Sequence, residues 1–377
     1  MRPSQAKPGY RAAPPRPVYG ATRVHHMPQS PFGLRALHGA LLAAALVTTL
    51  AAARVSSATP ITSAANAPHS GISPGGVDMA TGEIIVVCRP DLVLDGPMPV
   101  EFGRYYASML GREGLASGHM GPNWLGTYDW LINVVGTTAD VITNGGQDIK
   151  FQMPPAGGPW ALVSPLDQAF TLTFTGGTYR FTDPTARRVY LFTGAPLVLS
   201  QILDEHGNSL TLTYTGGRVT QVTDGLGRAL TLTYDPFAGM LSSVGDGTRA
   251  VIYSYTGTTL TGFTDAAGQH WTYQYVSPAP FPGLLSGSGE PAGNTPIQNA
   301  YDASGRVIMQ TDAAGGVAHY AWDGPGGNTF TDPLGHLWTY LHNAQNRLTS
   351  FTDPGSQAWS RAYDASGRLA SVTRPLG

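Results

Sequence analysis

A degenerate repeat of about twenty residues runs through the C-terminal half of the chain and constrains its fold more than any single residue does. Each unit is marked by a turn that begins with Asp and ends with Gly. Consecutive aspartates lie 20, 22 and 19 residues apart in one block, and 20 and 21 apart in the next. The turns occupy residues 204–207, 224–227, 246–247, 265–268, 312–315, 332–335 and 353–355. A second marker lies between them: Tyr, then Gly or Asn within a few residues, then Arg or Met, then an aliphatic residue, most clearly at 301–307 and 363–369.

The segments between the turns alternate as half-buried strands do. In residues 210–214 and 230–234, Leu, Leu and Tyr fall on one face and Thr on the other. The return arm at 218–224 spaces its apolar residues by three, so we expect a bulge or an early turn there. Asp accepts hydrogen bonds from backbone amides just ahead of it, and Gly adopts positive φ without steric cost, which suits both to the turns.

A single hairpin is marginal in water, so neighbouring units must pair edge to edge and share an apolar face. The sequence therefore predicts an all-β fold, in which a β-rich N-terminal module precedes an open repeat array of antiparallel hairpins. Residues 277–298 are rich in Pro and Gly and are either a surface loop or one decayed repeat. Their length, close to one period, favours the decayed repeat.

The two markers resemble the YD repeats of Rhs proteins, which also occur in insecticidal toxin complexes and teneurins. The shared pattern is Tyr-Asp-x-x-Gly-Arg-(Leu/Val), followed after a few residues by Thr-Asp-x-x-Gly. Upstream segments resemble the module of unassigned function that precedes these repeats in Rhs proteins. They are residues 77–78, 81–83, 96–99, 104–106, 121–124 and 144–151. The resemblance covers roughly residues 77–377.

This resemblance implies a β-sheet shell that encloses a toxic polypeptide, with the remainder of the shell and its toxin cargo as partners. No shell-closing segment or hypervariable C-terminal domain occurs up to residue 377. We therefore expect the chain to be a truncated front part of a longer Rhs-type protein. The expected domains are a leader at 1–58, a flexible linker at 59–76, the N-terminal module at 77–195 and the YD repeats at 196–377.

Charge is distributed unevenly along the chain. The first 76 residues contain no Asp or Glu and seven Arg or Lys residues. The remaining 15 basic residues face all 24 acidic ones, which leaves the rest of the chain with a formal charge of −9. Because phosphate binding needs a basic surface, nucleic acid is not an expected partner.

The leader contains an apolar run at residues 39–53, shorter than the ~20 residues that a membrane-spanning helix needs. This pattern predicts the helical segment of a signal peptide, cleaved after Ala58 or within 51–53, and hence a secreted or cell-envelope protein of a bacterium. A start at Met27 instead of Met1 would give a leader of ordinary length. The alternative is an uncleaved membrane anchor.

Chemistry-bearing patterns are scarce. An Asp that recurs in every unit is better explained as a turn former than as a catalyst, and the period near twenty differs from the nine-residue calcium-binding β-roll. His336 and His342 are six apart, which does not make a metal site. Asp332-Pro-Leu-Gly335 resembles the Asp-Pro-x-Gly near the self-cleavage site of Rhs proteins, but it lies in phase with the other turns and is expected to be one of them. The single cysteine, Cys88, is expected to be a buried strand residue.

Three hypotheses follow, in order of preference: a structural shell piece, a carbohydrate-binding module at a cell surface, and an enzyme. The second would need exposed stacking faces on Trp271, Trp322, Trp338 and Trp359, for which core packing is the commoner role. Only the abundance of carboxylates speaks for the third, so the expectation is that the chain is not an enzyme. No catalytic, metal-binding or cofactor-binding residue is assigned.

Overall fold

The computed structural model describes residues 63–66, 69–112, 118–155, 158–324 and 327–375. The predicted leader, with its helical signal segment, lies outside these residues, as does the start of the predicted linker. The described chain is almost entirely β, with a short 3-10 helix at Ala64–Asn66. Within it, no helix has the length and apolar character to cross a membrane.

Nine mostly short strands come first. They are β1 (Ile85–Val87), β2 (Leu92–Leu94), β3 (Val100–Phe102), β4 (Arg104–Ala107), β5 (Trp124–Gly126), β6 (Leu131–Val135), β7 (Thr138–Ile142), β8 (Asp148–Gln152) and β9 (Ala161–Ser164). Strands β1, β4 and β5 form one sheet, β2 and β3 a second, and β6 to β9 a third.

Twenty further strands make up the repeat array. They are β10 (Thr171–Thr175), β11 (Thr178–Asp183), β12 (Arg188–Thr193), β13 (Val198–Asp204), β14 (Ser209–Thr215), β15 (Arg218–Asp224), β16 (Ala229–Tyr234), β17 (Leu241–Gly245), β18 (Ala250–Thr256), β19 (Thr259–Thr264), β20 (His270–Tyr275), β21 (Leu285–Gly289), β22 (Ile297–Tyr301), β23 (Val307–Asp312), β24 (Val317–Gly324), β25 (Gly327–Thr331), β26 (Leu337–His342), β27 (Leu348–Thr352), β28 (Ala358–Tyr363) and β29 (Leu369–Thr373).

These twenty strands form one antiparallel sheet in sequence order. Strands β10 and β29 each have one partner within it, so the sheet is open, and the predicted open all-β array is confirmed. The sheet includes β10 to β12, which fall inside the range predicted for the N-terminal module, 77–195. The stretch 277–298 contributes β21, which pairs with β20 and, at Gly287 and Gln298, with β22. It therefore holds a strand of the sheet, with loop segments before and after it.

The predicted bulge is confirmed in the return arm. Tyr214 pairs with Val219 but Thr213 pairs with Gln221, which leaves one extra residue on β15. Val219 and Val222 are both buried for this reason, despite their spacing of three. The same register shift recurs next to the equivalent tyrosines, Tyr234, Tyr255, Tyr275, Tyr301 and Tyr363.

The turn aspartates act as predicted. Oδ1 of Asp204 accepts hydrogen bonds from the amides of His206 and Asn208, both at 2.9 Å, and Gly207 has a φ of 86°. Amides two and four residues ahead donate in the same way to Asp224, Asp265, Asp302, Asp312, Asp332 and Asp364.

The earlier strands pack against the apolar face of the array, and one core cluster extends from Val77 to Leu348. The array curves around them, so that residues near its first and last strands both contact His69. His69 Nε2 lies 3.3 Å from Oδ2 of Asp167, just before β10, and its ring lies 5.8 Å from that of Tyr363 at the end of β28.

The flexible linker predicted at 59–76 is wrong for its described residues. Ser63, Ala64, Ser70 and Ser73 are buried, and the amide of Leu348 donates to the carbonyl of His69 at 2.9 Å. A small-residue composition resembles that of a linker. Here it instead allows close approach of the backbone to the sheet.

Candidate functional site

Arg104 in β4 is the centre of the contact between the earlier strands and the array. Its guanidinium forms a two-pronged ion pair with Asp91, at 2.6 and 2.8 Å, and donates to the hydroxyl of Tyr273. The Tyr253 hydroxyl donates to the same carboxylate at 2.7 Å, and the guanidinium carbon lies 3.8 Å from the ring centre of Phe263. Both charged side chains are almost fully buried. The cluster therefore connects the earlier strands to the array, and its two charges are paired with each other.

Glu83 is a fully buried acid that anchors the first described segment. Oε2 accepts from the Ser63 hydroxyl and the Ala64 amide, both at 2.7 Å, and Oε1 accepts from the Met109 amide at 2.8 Å. Burial raises the pKa of Glu83 to about 7, although these three donors oppose the shift. The side chain is enclosed on every side by its own partners, so its role is structural.

A ladder of aromatic hydrogen bonds runs across the array. In six units the tyrosine beside the bulge donates its hydroxyl to the carbonyl of the aliphatic residue at the corresponding place in the preceding unit. The pairs are Tyr214 to Leu199, Tyr234 to Val219, Tyr255 to Leu241, Tyr275 to Leu260, Tyr301 to Leu285 and Tyr363 to Leu348, at 2.6 to 2.9 Å. Trp322 replaces tyrosine in one unit and donates to Val307 at 2.8 Å. The ladder ties successive hairpins together through side chains as well as through the sheet.

A cavity of about 200 Å³ lies between the earlier strands and the first part of the array. The half-buried Arg218 and the exposed Gly217 line one side of it, so the cavity opens to solvent there. Its other polar lining groups include His119, Asp129 and Thr143. Aromatic rings supply much of the wall, from Phe102, Tyr128, Trp130, Tyr214 and Tyr234.

Asp129 is placed by the chain reversal between β5 and β6. Oδ2 accepts from the amide of Gly126 at 2.7 Å, and burial raises the pKa of Asp129 to about 6. Arg218, at the start of β15, lies with its guanidinium carbon 5.6 Å from the ring centre of Tyr234. Burial and the nearby Arg218 lower the pKa of His119, whose ring meets Tyr234 edge-on. This is the part of the described chain that brings a carboxylate, an imidazole and a guanidinium around open space.

The four tryptophans considered for carbohydrate binding are all half-buried. Trp271 stacks on Phe263, and Trp271, Trp322 and Trp338 pack against the core cluster. Trp359 contacts Phe351, with ring centres 5.3 Å apart.

The remaining residues of interest are separated from one another. His336 Nδ1 lies 2.9 Å from Asp332 Oδ2 within its own turn, whereas Nε2 of His342 lies 2.6 Å from the carbonyl oxygen of Ser70. Asp332 accepts from amides two and four residues ahead, so its segment is an ordinary repeat turn. Cys88 is half-buried and follows β1, so the expectation of a buried strand residue is wrong. In the described chain, no three His, Cys, Asp or Glu side chains are grouped to hold a metal ion.

Sequence reasoning missed Asp91, Asp129 and the pairing of Arg104. Their partners are up to 169 residues away along the chain, so no local spacing indicates them. The tyrosine of the second marker was visible at each unit, and its recurrence beside a bulge was the signal for the ladder.

Two regions of the chain match family models. Residues 75–151 match DUF6531, a domain of unknown function, and residues 342–377 match the RHS Repeat. None of the curated proteins compared with the chain matches it.

Among solved structures, the chain is similar to TcdB2-TccC3-TEV, with 13% identity over 78% of this chain and 19% of that one and a TM-score of 0.36. It is similar to TcdB2-TccC3 without the hypervariable C-terminal region, with 12% identity over 77% and 19% and a TM-score of 0.36. A further match is a Photorhabdus luminescens Tc holotoxin pore with a substituted TccC3, with 13% identity over 75% and 16% and a TM-score of 0.26. The chain spans about a fifth of the length of these solved chains or less.

Proposed function

The chain is an Rhs/YD-repeat protein, and from that premise we propose that it forms the N-terminal part of a shell in a secreted bacterial polymorphic toxin. The shell would enclose or present a C-terminal toxin polypeptide carried by the longer protein. Its role would be mechanical and non-catalytic.

The observation that carries this proposal is the continuous sheet, in which twenty strands pair in sequence order and curl around the earlier strands. A sheet of this kind satisfies its backbone groups from strand to strand, so it can act as a wall without gaps. The earlier strands pack against the inner, apolar face of this sheet. At its C-terminal edge, β29 is exposed along its whole length.

The free edge of β29 suits continuation of the wall. Its sequence, Leu-Ala-Ser-Val-Thr, contains neither charge nor proline, the usual devices that prevent an edge strand from pairing. A further hairpin would pair with this edge in the same way as each earlier hairpin pairs with its neighbour. We therefore propose that the next partners are further repeats and, inside them, the toxin cargo.

The test is protection of the cargo from protease. The chain is extended with the repeats and C-terminal domain encoded in frame beyond codon 377, and the product is digested with trypsin. We expect the C-terminal domain to resist digestion in the intact protein and to be cut when Leu212→Asp places a charge on the buried face of β14. The matched control, Thr213→Asp, lies on the exposed face of the same strand and should leave protection unchanged. Equal digestion in all three proteins, or the absence of further repeats beyond codon 377, would contradict the proposal.

Carbohydrate binding at a cell surface is the alternative, and Trp359 is its best candidate because, unlike Trp271, Trp322 and Trp338, it is not among the residues packed against the core cluster. A glycan array separates the two functions. A shell should bind no glycan, whereas an adhesion module should bind one and lose it on Trp359→Ala.

A further inference from the structure

The cavity between the earlier strands and the array contains two opposite charges that do not pair with each other. Asp129 receives one hydrogen bond, from the Gly126 amide, and has no basic partner among the described residues. Arg218 lies over the ring of Tyr234 and has no carboxylate partner in the same part of the chain. Elsewhere in the interior, Arg104 pairs with Asp91, and the buried Glu83 carboxylate accepts three hydrogen bonds. An unmatched buried charge is costly, so a site of this kind favours a ligand that supplies what is missing.

We propose that this cavity binds a small zwitterion with a primary ammonium group and a carboxylate, such as a free α-amino acid, between Asp129 and Arg218. The ammonium would donate to the carboxylate of Asp129, whose free oxygen is an acceptor only. The ligand carboxylate would accept from the planar guanidinium of Arg218, which suits two parallel hydrogen bonds.

The volume of the cavity and the residues that line it indicate the size and polarity of the rest of the ligand. At about 200 Å³ the cavity is smaller than the ~300–1,000 Å³ of pockets for drug-sized molecules, so it suits a molecule of amino-acid size. Between the two charged groups the lining is aromatic and aliphatic, including Phe102, Trp130, Leu232 and Leu241. An apolar side chain on the ligand would pack there, which favours amino acids such as phenylalanine or leucine.

Gly118 leaves room beside the Asp129 carboxylate. A Cβ at this position would lie 2.8 Å from Oδ2, the oxygen that accepts from the Gly126 amide. With its pKa raised to about 6, Asp129 is still ionised above neutral pH and can pair with an ammonium group. His119 has a lowered pKa and is neutral under the same conditions, so Arg218 is the cation available to the ligand carboxylate.

Binding at this place would also tie the two parts of the fold together. Asp129 belongs to the reversal between β5 and β6, and Arg218 belongs to β15 of the array. A ligand between them stabilises the docked state by a free energy that grows with the logarithm of one plus the ratio of its concentration to Kd. This role is independent of cargo enclosure, and each is tested separately.

Isothermal titration of the full chain with L-phenylalanine at pH 7.5 tests the proposal. Phenethylamine lacks the carboxylate and 3-phenylpropionate lacks the ammonium, so each should bind at least about tenfold more weakly than L-phenylalanine. Asp129→Asn and Arg218→Gln should each weaken L-phenylalanine binding by about tenfold or more. Arg180→Gln, on an exposed position of β11 outside the cavity, should leave it unchanged.

Asp129→Asn keeps an oxygen that can accept from Gly126, so the variant is expected to fold, and circular dichroism verifies this. Where a variant does not fold, the two analogues decide the question on the unaltered protein. The proposal is overturned if neither L-phenylalanine nor L-leucine binds at about 10 mM. It is also overturned if both analogues bind as well as L-phenylalanine, or if folded Asp129 and Arg218 variants retain full affinity.

Discussion

The earlier strands and the repeat array use carboxylates in opposite ways. In the array, the turn aspartates bind amides only two to four residues ahead, as Asp265 does with Ala267 and Gln269. Among the earlier strands, the side chains of Glu83 and Asp91 are buried and bind groups 13 to 162 residues away. The array is thus built from contacts that each unit makes for itself and with its neighbours. The earlier part depends on contacts that exist only once the whole chain has folded around it.

The largest expected difference concerns the buried ion pair. Asp91→Ala leaves the Arg104 guanidinium charged and buried, so the free energy of unfolding should fall by about 3–5 kcal/mol. Urea denaturation measures this change. The control is Glu205→Ala, which removes the exposed ion pair with Arg187 and should cost less than about 1 kcal/mol. Equal costs for the two variants would show that the earlier strands do not depend on buried charge.

The pH dependence of stability should have opposite signs in the two regions. Glu83 has a pKa of about 7 when folded, against an ordinary value of 4.5. Its contribution to stability is therefore fully present below pH 4.5 and is lost as the pH rises through about 7, a loss of about 3 kcal/mol. Glu83→Gln should flatten this part of the profile in urea titrations between pH 5 and pH 8.

In the array, Asp246 provides the contrast. Its pKa is lowered to about 2, chiefly because the amide of Arg249 donates to it. Its contribution is present above pH 3.8 and is lost as the pH falls towards 2, so Asp246→Asn should change only the acid end of the profile. A Glu83→Gln profile that falls as steeply between pH 5 and 8 as that of the unaltered protein, or an Asp246→Asn profile that changes there, would contradict the comparison.

The tyrosine ladder lies between these extremes, since each of its hydrogen bonds joins residues 14 to 16 apart in the sequence. Tyr255→Phe removes the hydroxyl that donates to the carbonyl of Leu241 at 2.9 Å and leaves that oxygen unpaired, at a cost of about 1.5 kcal/mol. Tyr179→Phe is the matched control, because the Tyr179 hydroxyl has no hydrogen bond in the described chain. It should change stability by less than about 0.5 kcal/mol. Similar costs for the two variants would remove the ladder as a source of stability.

The same contrast explains what the sequence could predict. Turn aspartates, strand alternation and the bulge before Val222 are local, so the residues of one unit were enough to predict them. The packing of the chain around His69 and the bond from Arg104 to Tyr273 depend on distant partners, and no spacing within the sequence records them. The linker prediction was wrong for this reason, because a run of small residues does not show whether the segment is flexible or packed against a sheet. The predicted leader and its signal peptide lie outside the described residues and stay predictions.

The smallest expected effect is at the repeat turns, where geometry and charge can be separated. Asp265→Ala removes two hydrogen bonds from backbone amides at an exposed turn and should lower the free energy of unfolding by about 1 kcal/mol. Asp265→Asn keeps an oxygen at the same place and should cost little, because Asn343 already occupies the equivalent position in one unit. It accepts there from the amides of Gln345 and Arg347, both at 3.0 Å. If Asn at position 265 is as costly as Ala, the charge of the aspartate matters more than its hydrogen bonds, and the turns would then depend on electrostatics as the earlier strands do.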